Sequence, residues 1–331
     1  MNDNPLLSLT LRLHQGMGHL PEELRKKARA FILSRQDPRG GFIGRRGKAD
    51  IYYTSFALRA LTLLGLEKDS DQIRLLENYI GQFLSEFLQK QKDLSSAELH
   101  SFLFSVLFLE GLPGTDPFKE VSLDRKTFFQ NALDKLQRKD GGFASSVKSA
   151  FSEIYHTFLA ISAFSFLGIP LPEKNRAGIL QLLRKNRRED GGFSEMEKLR
   201  SSGTNPTAAA IMIVRALSGS EEIELSSACR FLWKMQIPEG GFRANSSIPA
   251  ADLLSTFTAL AALWDPKSPC LLAPFQEKKI REFTESLQTK EGGFRAAFWD
   301  KEPDIEYTFY GLALLSLLDQ DQAGMSEVLG T

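Results

Sequence analysis

The triplet Gly-Gly-Phe occurs five times in this chain, at Gly40-Gly41-Phe42, Gly141-Gly142-Phe143, Gly191-Gly192-Phe193, Gly240-Gly241-Phe242 and Gly292-Gly293-Phe294. Successive copies start 101, 50, 49 and 52 residues apart. The first interval is double the others. It predicts a sixth unit whose triplet has been lost near residue 91, within KQKDLSSAELHSFLFSVLFLEG. A period of about fifty residues is one supersecondary unit, which cannot bury its apolar face without neighbours.

Each unit reads as two helices. The segment ahead of the triplet carries a one-sided apolar stripe, as in Ile280, Phe283 and Leu287, or Phe128, Phe129, Ala132, Leu133 and Leu136. That pattern suits an outer helix with one face in water. The segment after the triplet is apolar nearly all round (TSFALRALTLLG, TFLAISAFSFLG, TFTALAALW, TFYGLALLSLL) and suits an inner helix buried on both sides. The glycines end a helix and turn the chain, and the Phe fills the gap between hairpins. No phosphate-binding loop or dinucleotide fingerprint surrounds them.

Open helical arrays need polar ends. Here the first complete inner segment (51–64) and the last (305–318) are as apolar as those between them. The expected fold is therefore all-α: a single α/α toroid domain over residues 1–331, a six-barrel of six helical hairpins. An open α-solenoid is the alternative. Lys plus Arg (41) equals Asp plus Glu (41), so no bulk field attracts nucleic acid. Two cysteines, Cys229 and Cys270, make no disulfide framework and point to a reducing, cytoplasmic setting. The sequence predicts no signal peptide and no transmembrane segment.

These units resemble the prenyltransferase and squalene-cyclase repeat over about residues 24–318. FILSRQDPRGGFIGRRGKADIYYTSFALRALTLLG and LQTKEGGFRAAFWDKEPDIEYTFYGLALLSLL are similar to repeats of geranylgeranyl transferase β subunits. The resemblance implies an aromatic-lined central cavity for an isoprenoid and an α-subunit-like partner. In prenyltransferases it also implies a zinc held by an Asp-x-Cys pair and a His. Asp252 aligns with the zinc aspartate, but Leu254 stands at the cysteine position and Tyr307 at the histidine position. One carboxylate does not make a catalytic zinc site, so no zinc cofactor is expected. Ser246 and Pro249 stand where diphosphate-binding cations belong, while Arg45 and Lys48 keep a Gly-Arg-x-x-Lys look in the first unit. The Asp-x-Asp-Asp motif of class II cyclases is missing from GTNPTAAAI in the fourth unit.

The acids that open inner helices, Asp50, Glu153, Asp252 and Asp304, first read as helix caps. Thr54, Thr157, Thr256 and Thr308 follow four residues later, as packing and back-bonding groups. Parallel inner helices would crowd one rim with these acids and with Tyr52, Tyr53, Tyr155, His156, Glu306 and Tyr307, joined by His100. The candidate catalytic residues are Asp252, Asp304, His156 and Tyr307. The candidate ligand-binding residues are Arg45, Lys48, Asp50, Tyr52, Tyr53, His100, Glu153 and Tyr155. Three functions stay open: prenyl transfer without the usual zinc ligands, non-catalytic binding of an isoprenoid or other long apolar molecule, and terpenoid processing by a rim carboxylate.

Overall fold

The computed structural model describes residues 5–65, 70–90, 93–119, 124–217, 223–264 and 274–318. A first helix, α1 (Pro5–His19), precedes six hairpins. They are α2 (Glu22–Leu33) with α3 (Ile51–Leu64), α4 (Ser70–Lys90) with α5 (Ser96–Glu110), and α6 (Arg125–Leu136) with α7 (Ile154–Leu167). Then come α8 (Glu173–Asn186) with α9 (Thr204–Ala216), α10 (Ser226–Met235) with α11 (Leu253–Leu263), and α12 (Pro274–Ser286) with α13 (Ile305–Leu318). The inner helices touch in sequence from α3 to α13, and α13 packs back on α3, closing the ring. The expected toroid of twelve barrel helices is present, with α5 as the inner helix of the unit that lacks a triplet. The thirteenth, α1, has no counterpart in the repeat and was not foreseen.

The repeat's residues explain how the units lock. In the first hairpin unit and in the third to the sixth, the triplet Phe is 0–2% exposed. Its N–H donates to a threonine Oγ1 on the inner helix: Phe42 to Thr54, Phe143 to Thr157, Phe193 to Thr207, Phe242 to Thr256 and Phe294 to Thr308, at 2.9–3.1 Å. Thr54, Thr207, Thr256 and Thr308 hydroxyls in turn donate to the carbonyl four residues back. One hydroxyl thus satisfies a buried N–H and ties the turn to its helix. In the fifth unit the turn widens into a two-stranded antiparallel ladder, β1 (Phe242–Arg243) with β2 (Ala251–Asp252).

Contacts between units follow one plan. The first glycine of each triplet lies against backbone of the next outer helix: Gly40 on Leu75, Gly141 on Asn175 and Gly178, Gly191 on Ser227, Gly240 on Lys279. Gly292 of the last unit meets Lys27 of α2 in the same way, so the ring closes through the interface used everywhere else. The first N–H of an inner helix also bonds a carbonyl in the next unit's linker: Ser96 to Ser145, Ile154 to Glu195, Thr204 to Ala244 and Leu253 to Ala296, at 2.8–3.1 Å. Where the second triplet is missing, phenylalanines fill the space. Phe83, Phe87, Phe102, Phe118, Phe128 and Phe129 form one ring cluster with centroids 5.1–6.3 Å apart.

Helix α1 packs on α13, α3 and α9. Arg12 Nη2 donates to the Leu317 carbonyl at 3.2 Å, and Ser316 Oγ lies 3.8 Å from Met17 Sδ. These contacts place α1 across the C-terminal end of the inner ring. Cys229 is buried on α10; Cys270 lies outside the described residues. Among the described residues no helix is long and apolar enough to cross a membrane.

Candidate functional site

Inside the inner ring is a cavity of about 230 Å³. Its lining runs from Tyr52, Tyr155 and Leu254 in the first turns of α3, α7 and α11 to Leu63 and Phe166 near the far ends. Leu6, Leu9 and Leu13 of α1 close that far end. Phe56, Phe257, Phe309 and Tyr310 form an aromatic wall, with Phe257 stacked on Tyr310 at 5.3 Å and Phe56 edge-on to it at 5.4 Å. Offset and edge-to-face pairs of this kind hold a wall rigid while leaving the lumen apolar.

The rim residues fall into separate groups. At the seam between the last and first units, Arg45 Nε donates to Asp304 Oδ2 at 2.9 Å, and both Nη atoms donate to Asp300. Asp304, 2% exposed, also caps α13 by accepting the Tyr307 N–H at 2.9 Å. Burial raises its pKa, against those hydrogen bonds and the Arg45 charge. The Tyr307 ring lies near the Arg45 guanidinium, 5.9 Å from its centroid. Arg45 thus spends its donors on two carboxylates, and Lys48 stands exposed. The seam brings together Arg45, Asp304 and Tyr307 of the expected site residues, and adds Asp300, which sequence reasoning missed.

Next to it, the Tyr52 hydroxyl donates to Glu306 at 2.8 Å, and the Tyr310 hydroxyl reaches the same oxygen at 3.4 Å. Burial raises the Glu306 carboxyl, opposed by the Tyr52 bond. Tyr53 packs over Gly44, where an added Cβ would meet its ring at 2.4 Å. Asp50 caps α3 through the Tyr53 N–H at 2.8 Å. Asp252 caps α11, accepting the Ser255 N–H at 2.7 Å and its hydroxyl at 2.8 Å, and burial raises its pKa.

The third unit departs from the expected pattern. Glu153 makes no cap; it accepts the Ser145 N–H at 2.9 Å and lies 3.4 Å from His156 Nε2. Burial lowers the His156 pKa, partly offset by Glu153, so the imidazole is largely neutral at pH 7. Glu195 from the next unit caps α7 instead, accepting the Tyr155 N–H at 2.8 Å. Burial pushes Glu195 up to about 7. Its one sequence signal is its place two residues after a triplet Phe, the position whose carbonyl also bonds the neighbouring helix.

His100 is in the cavity rather than on the rim, with its Nδ1 3.1 Å from Arg59 Nη2. Of the two arginines on inner helices, Arg215 instead donates to the Ala262 carbonyl at the end of α11. Among the described residues no group of three His, Cys, Asp or Glu side chains could hold a metal ion. Asp252 holds its own helix, Leu254 lines the cavity, and Tyr307 offers no imidazole, so these residues do not fit a catalytic zinc.

The family model for the prenyltransferase alpha-alpha toroid domain matches residues 7–98, 72–264 and 216–329. No curated protein matches the sequence. Among solved structures, Candida albicans protein geranylgeranyltransferase-I complexed with GGPP superposes with a TM-score of 0.64 at 16% identity, over 96% of this chain and 97% of that one. The apo type II terpene cyclase MstE from Scytonema superposes with a TM-score of 0.56 at 12% identity, over 92% and 97%. An MstE variant holding geranylgeranyl dihydroxybenzoate superposes at 0.54 with 12% identity, over 93% and 98%. At these identities the likeness is one of fold.

Proposed function

The chain belongs to the prenyltransferase alpha-alpha toroid family, and on that premise we propose that its central cavity binds an isoprenoid or similar hydrocarbon chain, without zinc-dependent transfer. The observation that carries this reading is the cavity wall of Phe56, Phe104, Phe158, Phe257 and Phe309. A hydrocarbon entering such a lumen gains roughly 25 cal/mol for each Å² withdrawn from water. The isoprenoids held by the geranylgeranyltransferase and by MstE support the same ligand class.

Two observations weigh against transfer from a diphosphate. Arg45 holds Asp300 and Asp304, and the remaining rim groups are mostly acidic. A diphosphate at that rim meets repulsion where it needs cations, so a neutral isoprenoid binds at least as well as its diphosphate. Terpenoid processing is the second reading, supported by the burial that raises Asp252 and Asp304. Phe151, Leu199, Ile248, Phe298 and Trp299 stand exposed on linkers, and support a protein partner of the α-subunit kind.

Native mass spectrometry of freshly purified protein, with elemental analysis, tests the proposal. A co-purified hydrocarbon-chain ligand without stoichiometric zinc is expected. One zinc per chain that is lost in Asp252→Ala, or failure to take up either geraniol or geranylgeraniol, would overturn it.

A further inference from the structure

Arg59 is the one Lys or Arg side chain among the described residues lining the cavity. It stands about 10 Å below Tyr52 along α3, at ~1.5 Å of rise per residue. Its guanidinium lies over the faces of Phe56 and Phe104, 5.0 and 4.7 Å from their centroids. The surface it keeps opens on the cavity. Its single hydrogen-bond partner among the described residues is His100. Burial, then the Arg59 charge, lowers His100 to about 3, so the ring is neutral at pH 7. It accepts through Nδ1 and carries its proton on Nε2. Arg59 Nε is buried with no partner. No carboxylate pairs with it, because Glu306, whose charge reaches it, is held by the Tyr52 and Tyr310 hydroxyls.

A guanidinium does not shed its proton at neutral pH. An isolated buried charge is costly, and two phenyl faces return only part of that cost. A lumen built for hydrocarbon alone would carry an apolar side chain here. The Nε–H is sealed in the wall, and the Nη donors that His100 leaves over, on the part of Arg59 that lines the cavity, match a carboxylate, one charge against one. A diphosphate brings more negative charge than one guanidinium balances in an apolar enclosure. We propose that the cavity takes a hydrocarbon chain ending in a carboxylate, and that Arg59, braced by His100, is its anion-binding site. This rests on the reading of the cavity as a hydrocarbon site and adds the head group.

The cavity's ~230 Å³ equals about eight waters at ~30 Å³ each, so ten-carbon probes are suitable. Isothermal titration compares geranic acid, geraniol and geranyl diphosphate on wild type, Arg59→Met and Arg59→Gln. In wild type geranate should bind about tenfold or more tightly than geraniol, as expected for a charge-assisted hydrogen bond, with the diphosphate weaker than geranate. In Arg59→Met the preference should vanish while geraniol binding persists. Its melting temperature without ligand should match or exceed wild type, since an unpaired buried charge is gone. Equal affinity of geranate and geraniol for wild type, a preference that survives both substitutions, or a diphosphate that binds best would overturn the carboxylate site. Failure of geranate and geraniol alike to bind wild type would instead remove the hydrocarbon reading beneath it. If neither variant folds, wild-type preference and the melting shift with each ligand decide.

Discussion

Substituting Gly292→Ala tests whether the ring is held shut by the same contact that joins its units. Gly292 has φ +96°, and a Cβ there would lie 2.3 Å from the Lys27 carbonyl oxygen on α2. The backbone conformation alone costs alanine about 1–2 kcal/mol. The Lys27 carbonyl belongs to a helix and cannot swing aside, so α2 must retreat by about an ångström to restore ordinary contact, an overpacking cost of ~1–3 kcal/mol. Gly47 separates the two terms: its φ is +98°, with nothing within 4 Å of an added Cβ. Urea denaturation followed by circular dichroism should show Gly47→Ala losing about 1–2 kcal/mol and Gly292→Ala losing about 2–5. Gly240→Ala, at the same contact between the fifth and sixth units, should lose as much as Gly292→Ala. If Gly292→Ala costs no more than Gly47→Ala, the first and last units do not hold each other and the closure argument fails.

Thr256→Val removes the hydroxyl that receives the buried Phe242 N–H and should cost about 1–3 kcal/mol, read by the same denaturation; a neutral result would mean the turn is not anchored there. Glu195 has a folded-state pKa of about 7 against an ordinary value of 4.5. The native chain therefore holds the extra proton, so the contribution is full below about pH 4.5 and is lost as pH rises through 7. Glu195→Gln should flatten a decline in stability between these limits worth up to about 3 kcal/mol, and an unchanged profile would contradict the assignment. Arg45→Ala leaves buried Asp304 without its cation and should lower stability by about 1–3 kcal/mol, while leaving geraniol affinity within about twofold; loss of ligand binding would place Arg45 in the site. Asp252→Ala should cost about 1 kcal/mol as a lost helix cap, with no change in metal content.

The architecture was legible because the triplet, its spacing and the alternation of one-sided and all-round apolar helices each mark an inter-unit contact. Even the eroded second unit is legible, from the doubled interval between triplets and the apolar pattern that α5 keeps. Helix α1 escaped notice because it belongs to no repeat; its Leu6, Leu9, Leu13 and Met17 spacing was the available signal. The acids at Asp50, Asp252 and Asp304 were readable as caps from position alone. Glu153 was not, because its replacement by Glu195 depends on a neighbour forty-two residues onward. The Arg45–Asp300–Asp304 group spans the two ends of the chain, and no local pattern announces a pairing made only by closure. Arg59 is visible in the sequence as a cation within an apolar segment, but its lack of a counter-ion is a three-dimensional fact.

Because the last unit docks on the first through the interface that joins all the others, the number of hairpins is locked in a way that an open array's is not. A solenoid can gain or shed a repeat and adjust only at the junction. Here a lost or duplicated hairpin would change the turning angle demanded of every interface at once, and the backbone contacts beneath Gly40, Gly141, Gly191, Gly240 and Gly292 tolerate little. Variation is then channelled into the content of units rather than their count. The second hairpin illustrates this: its glycine turn is gone, six phenylalanine rings have taken over its junction, and the hairpin itself has stayed.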